Sequence, residues 1–262
     1  STSDERLNDP KYDELKSYYL VAGTERLMKI FDGLHKVNPD IFIAITNAAY
    51  LSPWWLSYVD VVWLINAGDA AKGKDRTGEL VYRDHVYHQI WEQENTKFPM
   101  NSIFNHEPKK VTANEDRKSF KDYLFMNLSR GTGFVELYLK TDSLSATDWD
   151  VLAEGLKWTY QAFPTFKRVR MHGGNPKRNY GYTAWNDKQG YISIHNPSAE
   201  QREYKITLDR KMGLIPDSKK VYRVTSVLEN KSEGVQKQYH YGDVLSLTLR
   251  PKEILLLDFT VR

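Results

Sequence analysis

The feature that most constrains this chain is a change of hydrophobic period partway along it. Up to about residue 165, continuous apolar runs alternate with helical patterns. From Asn179 onward the period is two, with turn residues between the runs. Continuous runs belong to strands buried on both faces, as in parallel sheets flanked by helices. Period-two alternation belongs to antiparallel strands with one face in a core.

In the first regime, residues 11–37 carry Leu27, Ile30, Phe31 and Leu34 at helical spacing, stopped by Asn38-Pro39-Asp40. Strands are expected over 41–46, 58–65 and 98–104 and again over 134–139, after a Gly131-Thr132-Gly133 break. Helices are expected over 79–95, 119–130 and 147–163. Four such units suit a parallel α/β arrangement. A closed eight-unit barrel needs roughly 250 residues and about 165 are present, so the choice lies between a small open sheet and half a barrel. The second regime holds six short strands, over 180–185, 191–195, 204–208, 221–227, 244–249 and 254–259, which read as an antiparallel β-sandwich. Gly173-Gly174-Asn175-Pro176 is the natural junction, dividing the chain into 1–172 and 173–262.

Composition removes several function classes. The chain has no cysteine, which excludes disulfides, thiolate metal sites and cysteine nucleophiles. Lys plus Arg is 37 against 34 acids, interspersed, which is not the basic concentration of a nucleic-acid binder. No apolar run approaches a membrane span, and Ser1–Arg6 has no signal-peptide character, so no membrane partner is expected. Neither a phosphate-binding glycine motif nor HExxH is present, and no cofactor or metal is expected. The 34 aromatic residues (7 Trp, 17 Tyr, 10 Phe) are the compositional excess, suited to cores and to sugar faces.

Sites in parallel α/β folds form at the C-terminal ends of strands. That rule selects Asn47, Asp69, His106 and Glu136. Asp69 is either a general acid/base or a turn residue capping the next segment. His106 is a proton carrier, a substrate contact or a structural histidine; His85 and His88 share a helix but lack a third metal ligand. Glu136, between Val135 and Leu137, points into the sheet's interior as a site residue or as half of an ion pair. Trp54 and Trp55 lie between the first two strands, where they are a sugar-stacking platform or a hydrophobic cover.

The stretch from Pro39-Asp40-Ile41 through Ser52-Pro53-Trp54-Trp55-Leu56 to Trp63 and Gly68-Asp69 resembles glycoside hydrolases of the alpha-galactosidase (melibiase-like) clan. Tyr82-Arg83-Asp84, Phe98–Ser102, Asn105-His106, Gly131–Tyr138 and the Leu249–Phe259 strands continue the likeness over nearly the whole chain. The resemblance implies the second half of a (β/α)8 barrel, strands five to eight, followed by an antiparallel β-sandwich. It implies a retaining alpha-glycosidase acting on terminal alpha-linked sugars, with Asp69 as acid/base and Asn47, Trp54, Trp55, His106 and Glu136 lining the sugar pocket.

The strand that would carry the nucleophile is missing, so a companion polypeptide or segment bearing strands one to four is expected, with an oligosaccharide as the other partner. A polysaccharide substrate and the absence of cysteine fit a bacterial periplasm or outer surface. The rival reading is a non-catalytic carbohydrate-binding or interaction module, in which Asp69 is a turn residue.

Overall fold

A computed structural model describes residues 5–46, 51–64, 68, 71–230 and 234–261. The α/β part opens with a long helix, α1 (Asp13–Val37), followed by strands β1 (Ala44–Ile45) and β2 (Val61–Trp63). Then come α2 (Arg76–Tyr87), β3 (Ile103–Asn105), β4 (Lys109–Lys110), α3 (Arg117–Leu128), β5 (Phe134–Val135), β6 (Tyr138–Leu139) and α4 (Ala146–Ala162). The helices start where side chains satisfy their first N–H groups. Asp75 Oδ1 accepts from the Gly78 N–H, Asp116 Oδ1 accepts from the Ser119 N–H, and Ser145 with Asp148 forms a reciprocal capping box on α4. The 79–95 expectation resolves into α2 and a six-residue π-helical continuation, His88–Gln93. Gly131, at φ +64°, turns the chain out of α3 in a conformation that a side chain would strain.

β1, β2, β3 and β5 form one parallel sheet in that order. The paired segments are two or three residues long, shorter than the apolar runs, and the 134–139 run is split. Its first half pairs with β3 and its second half, β6, pairs with β4 in a separate ladder. Ile43, Val62, Leu64 and Ile103 join the core beneath the helices, with Ile45, Val135 and Leu137 packed against it. The opposite, concave face carries Phe42, Val61, Trp63, Phe104 and Phe134. Both faces are apolar, which explains why the runs showed no alternation.

The second part contains β7 (Arg170–His172), β8 (Gly181–Trp185), β9 (Gln189–His195), β10 (Arg202–Thr207), β11 (Val221–Ser226), β12 (Gln238–His240), β13 (Val244–Leu249) and β14 (Ile254–Val261). Six strands form an antiparallel sheet in the order β12-β11-β14-β9-β8-β7, and β10 pairs with β13 as a second layer. Beyond the six expected strands stand β7 and β12, each three residues long and too short to show a period. β7, just before the Gly173-Gly174 turn, is already paired into this sheet.

The large sheet is apolar on both sides. Ile192, Ile194, Leu255, Leu257 and Phe259 pack on Leu245, Leu247 and Leu249 of β13. Tyr182, Tyr191, Ile254 and Leu256 face the other way and share a core with α3 and α4. Among the described residues, no helix is long and apolar enough to cross a membrane.

Candidate active site

The β3–β5 ladder ends at Asn105 opposite Val135, and the parallel pairing resumes at Lys109 opposite Tyr138. Three residues fill the gap on one strand (His106, Glu107, Pro108) and two on the other (Glu136, Leu137). This interruption re-aims side chains at the C-terminal edge of the sheet, as bulges do near active sites. His106 and Glu136 meet there: the imidazole Nδ1 hydrogen-bonds Glu136 Oε2. A carboxylate accepting from Nδ1–H fixes the tautomer and leaves Nε2 for a substrate hydroxyl. The His106 ring is bordered by Trp63 at 5.7 Å, Tyr138 at 5.8 Å and Phe104 at 6.1 Å, all between centroids. The pair is only partly buried. Two neighbouring polar groups ringed by aromatics can bind sugar hydroxyls and pack on a sugar's apolar face.

Asn47 and Asp69 follow β1 and β2 in sequence and lie outside the described residues, but the anchor beside Asp69 is described. Gly68, at φ +65°, offers its carbonyl oxygen to Arg83 Nη1 and Nη2 at 3.3 and 3.2 Å. The Arg83 guanidinium also donates from Nε to Glu107 Oε1 at 3.2 Å. His106 thus faces the concave side, while its neighbour Glu107 faces the opposite way, toward the Arg83 clamp on the Gly68 carbonyl.

Trp54 and Trp55 require a correction. They lie on a 3-10 turn, Pro53–Ser57, that feeds directly into the start of β2. His35 at the end of α1 contacts the Tyr58 carbonyl, and Asp60 bonds the Ile43 backbone in both directions, through its N–H to the Ile43 carbonyl and its Oδ2 to the Ile43 N–H. These contacts fix the segment at the N-terminal ends of β1 and β2, away from the sheet edge that carries His106. Trp55 is 7% exposed within the core. Trp54 is 45% exposed and packs against Trp55 and Tyr58. The pair is a cover on the outer layer, so the platform reading fails. The described part of the β1–β2 connection, with its 3-10 turn, thus lies at the near end of β1 and not at its far end.

Behind the site lies a buried charge network that the sequence reading did not identify. Arg130 donates from Nε to Asp84 Oδ1 at 2.7 Å and from Nη1 to Glu107 Oε2 at 3.0 Å. Asp84 also accepts from Tyr182 at 2.6 Å and Tyr180 at 2.5 Å. Arg83, Asp84, Glu107 and Arg130 are all buried, and two cations balance two anions, the condition for keeping such charges out of water. Tyr180 donates to Asp84, so its oxygen accepts from His195 Nδ1 at 3.0 Å. His195 is then a neutral imidazole, and burial pushes its pKa down to about 4. The available signal was the stripe Leu80, Arg83, Asp84, Tyr87 on α2: two charges at core positions of an amphipathic helix. Among the described residues, no group of three or more His, Asp or Glu side chains is placed to hold a metal ion.

No protein-family model matches the sequence, and no curated protein is significantly similar to it. Solved structures are. Alpha-galactosidase I from Mortierella vinacea superposes with a TM-score of 0.56 at 10% identity, covering 92% of this chain and 63% of its own. The Saccharomyces cerevisiae alpha-galactosidase with raffinose gives 0.56 at 8% identity, covering 93% and 69%. An alpha-amylase from Geobacillus thermoleovorans complexed with acarbose gives 0.55 at 12% identity, covering 88% and 56%. The likeness is one of fold, shared about equally by the alpha-galactosidases and the alpha-amylase, and the chain spans under two thirds of the first of these structures.

Proposed function

We propose that this chain forms the acid/base half of a retaining alpha-glycosidase of alpha-galactosidase type, as strands five to eight of a (β/α)8 barrel with its C-terminal sandwich. The observation that carries this reading is the His106–Glu136 pair. It sits at the C-terminal edge of the sheet on the aromatic concave face, back to back with the Glu107–Arg83 clamp on Gly68. Likeness of fold to alpha-galactosidases supports it.

In this reading Asp69, set beside its clamped neighbour, starts protonated and delivers its proton to the glycosidic oxygen as the bond to the leaving group breaks. A carboxylate on a companion segment bearing strands one to four attacks the anomeric carbon from the opposite face. Asp69 then deprotonates the water that releases the sugar. The two carboxyl groups must stand about 5–5.5 Å apart for this retaining course. His106 Nε2, the second Glu136 oxygen and Asn47 hold sugar hydroxyls. The exposed concave residues Phe42, Phe134 and Tyr138 are the surface the companion covers. The expected setting is a bacterial periplasm or outer surface.

The test is hydrolysis of 4-nitrophenyl alpha-D-galactopyranoside by the assembled enzyme and its Asp69→Asn variant. General acid–base catalysis contributes about 10²–10⁴-fold, so a loss of that size is expected. Near-normal turnover would remove Asp69 from the role. Galactoside binding without turnover in the unsubstituted enzyme would instead favour a non-catalytic carbohydrate-binding module.

A further inference from the structure

The end of α4 meets the helix-facing side of the large antiparallel sheet across a cavity of about 180 Å³ whose lining includes none of the candidate active-site residues. Asp258 of β14 lines it. Residues alternate along β14, so Asp258 points to the same side as Ile254 and Leu256, toward the helices. One carboxylate oxygen, Oδ1, accepts from the Trp158 indole N–H at 3.1 Å; Oδ2 has no donor among the described residues. The groups opposite Asp258 are Trp158 from α4, Tyr191 from β9 and Thr225 from β11; Arg223 of β11, opposite Thr260, is the cation on the same face, and among the described residues no hydrogen bond or ion pair joins it to Asp258.

A largely buried carboxylate facing a cavity without a counter-charge is unfavourable in water-poor surroundings, and a cation from solution relieves it. Two further wall residues carry free acceptors. Gln189 donates its amide N–H to the Gln161 carbonyl and keeps its Oε1, and the Thr165 hydroxyl donates to the Ala162 carbonyl and keeps its lone pairs. These free acceptors suit hydroxyl donors. The Trp158 and Tyr191 rings, 5.3 Å apart, form the apolar back wall.

We propose that this cavity is a binding site for a small hydroxylated primary ammonium, an amino sugar or amino alcohol, with Asp258 receiving the ammonium and Gln189 and Thr165 receiving hydroxyls. The site is separate from the candidate active site and does not depend on its chemistry.

The experiment is calorimetric titration of the chain with glucosamine, with glucose as the uncharged control. Glucosamine should bind at pH 7 at least tenfold more tightly than glucose. Burial holds the Asp258 pKa up at about 6, so binding to the unsubstituted protein should weaken steadily as the pH falls from 7 to 5. Asp258→Asn, checked for folding by circular dichroism, should weaken glucosamine at least tenfold and leave glucose unchanged. Equal affinity for the two sugars, no glucosamine binding at all, or binding indifferent to pH between 5 and 7 would each overturn the assignment. The pH series needs no variant, so misfolding of Asp258→Asn would not rescue it.

Discussion

Phe42 and Phe134 stack with ring centroids 5.8 Å apart, although they flank opposite edges of a four-stranded sheet. Three strand spacings in a flat sheet would separate them by about 14 Å. The sheet is therefore curved strongly enough for its two edges to share side-chain contacts across the concave face, with Phe104 also against Phe134 at 5.5 Å. Phe42, Phe134 and Tyr138 are nevertheless 52, 36 and 45% exposed, and α1 leaves Leu20, Val21 and Ile30 to solvent. Such a surface on a curved sheet with open edges calls for cover. Sedimentation velocity of the chain alone should show concentration-dependent self-association, reduced by Phe42→Ser with Phe134→Ser. A monodisperse monomer that unfolds cooperatively would contradict the half-barrel reading.

The buried network makes a separate prediction about stability. Arg130→Met strands Asp84 and Glu107 without their shared cation, and breaking a buried pair this way costs about 3–5 kcal/mol. Tyr180→Phe removes one hydrogen bond to Asp84 and the acceptor for His195, at about 1–3 kcal/mol. Urea unfolding measures both. The effects should fall short of additive in the double variant, since both side chains serve Asp84.

Stability should also depend on pH in two opposed ways. Burial lowers His172 and His195 from 6.5 to about 4, so both bind protons on unfolding between those values. Their contribution is complete above pH 6.5 and is lost as the pH falls toward 4. Asp258 is raised from 3.8 to about 6, so it releases its proton on unfolding in that window, and its contribution is lost as the pH rises through 6. Among these three groups, two protons against one leave a net uptake of about one between pH 4 and 6, their joint contribution to the slope of stability with pH. Asp258→Asn should steepen the acid-side loss and stabilise the protein at pH 7–8 by up to roughly 3 kcal/mol. Urea midpoints measured from pH 4 to 8 check the sign.

The sequence carried the helices and the change to antiparallel strands because helical spacing and period two are local signals, reinforced by caps such as Asp116 and Ser145. It also pointed to His106, just past one apolar run, and to Glu136, inside another between Val135 and Leu137. It did not carry the gap in the ladder that brings them together, because pairing register is a relation between distant segments. The tryptophan pair was misread for a similar reason: position between two strands does not say at which end of the sheet a residue lies. Arg83, Asp84, Glu107 and Arg130 are spread over 48 positions, so their neutralising partnership appears only when α2, β3 and α3 pack.

The central claim is that Asp69 is the acid/base of a retaining glycosidase, and chemical rescue addresses it most directly. In the assembled enzyme, Asp69→Ala is given 2,4-dinitrophenyl alpha-D-galactopyranoside, whose leaving group needs no proton, together with sodium azide, a nucleophile that needs no base. The account predicts slow turnover without azide, restoration of the rate by azide, and alpha-galactosyl azide as the product by proton NMR, because azide enters from the face that Asp69 serves. Undiminished turnover of the variant without azide, no acceleration by azide, or the beta-configured azide would contradict it.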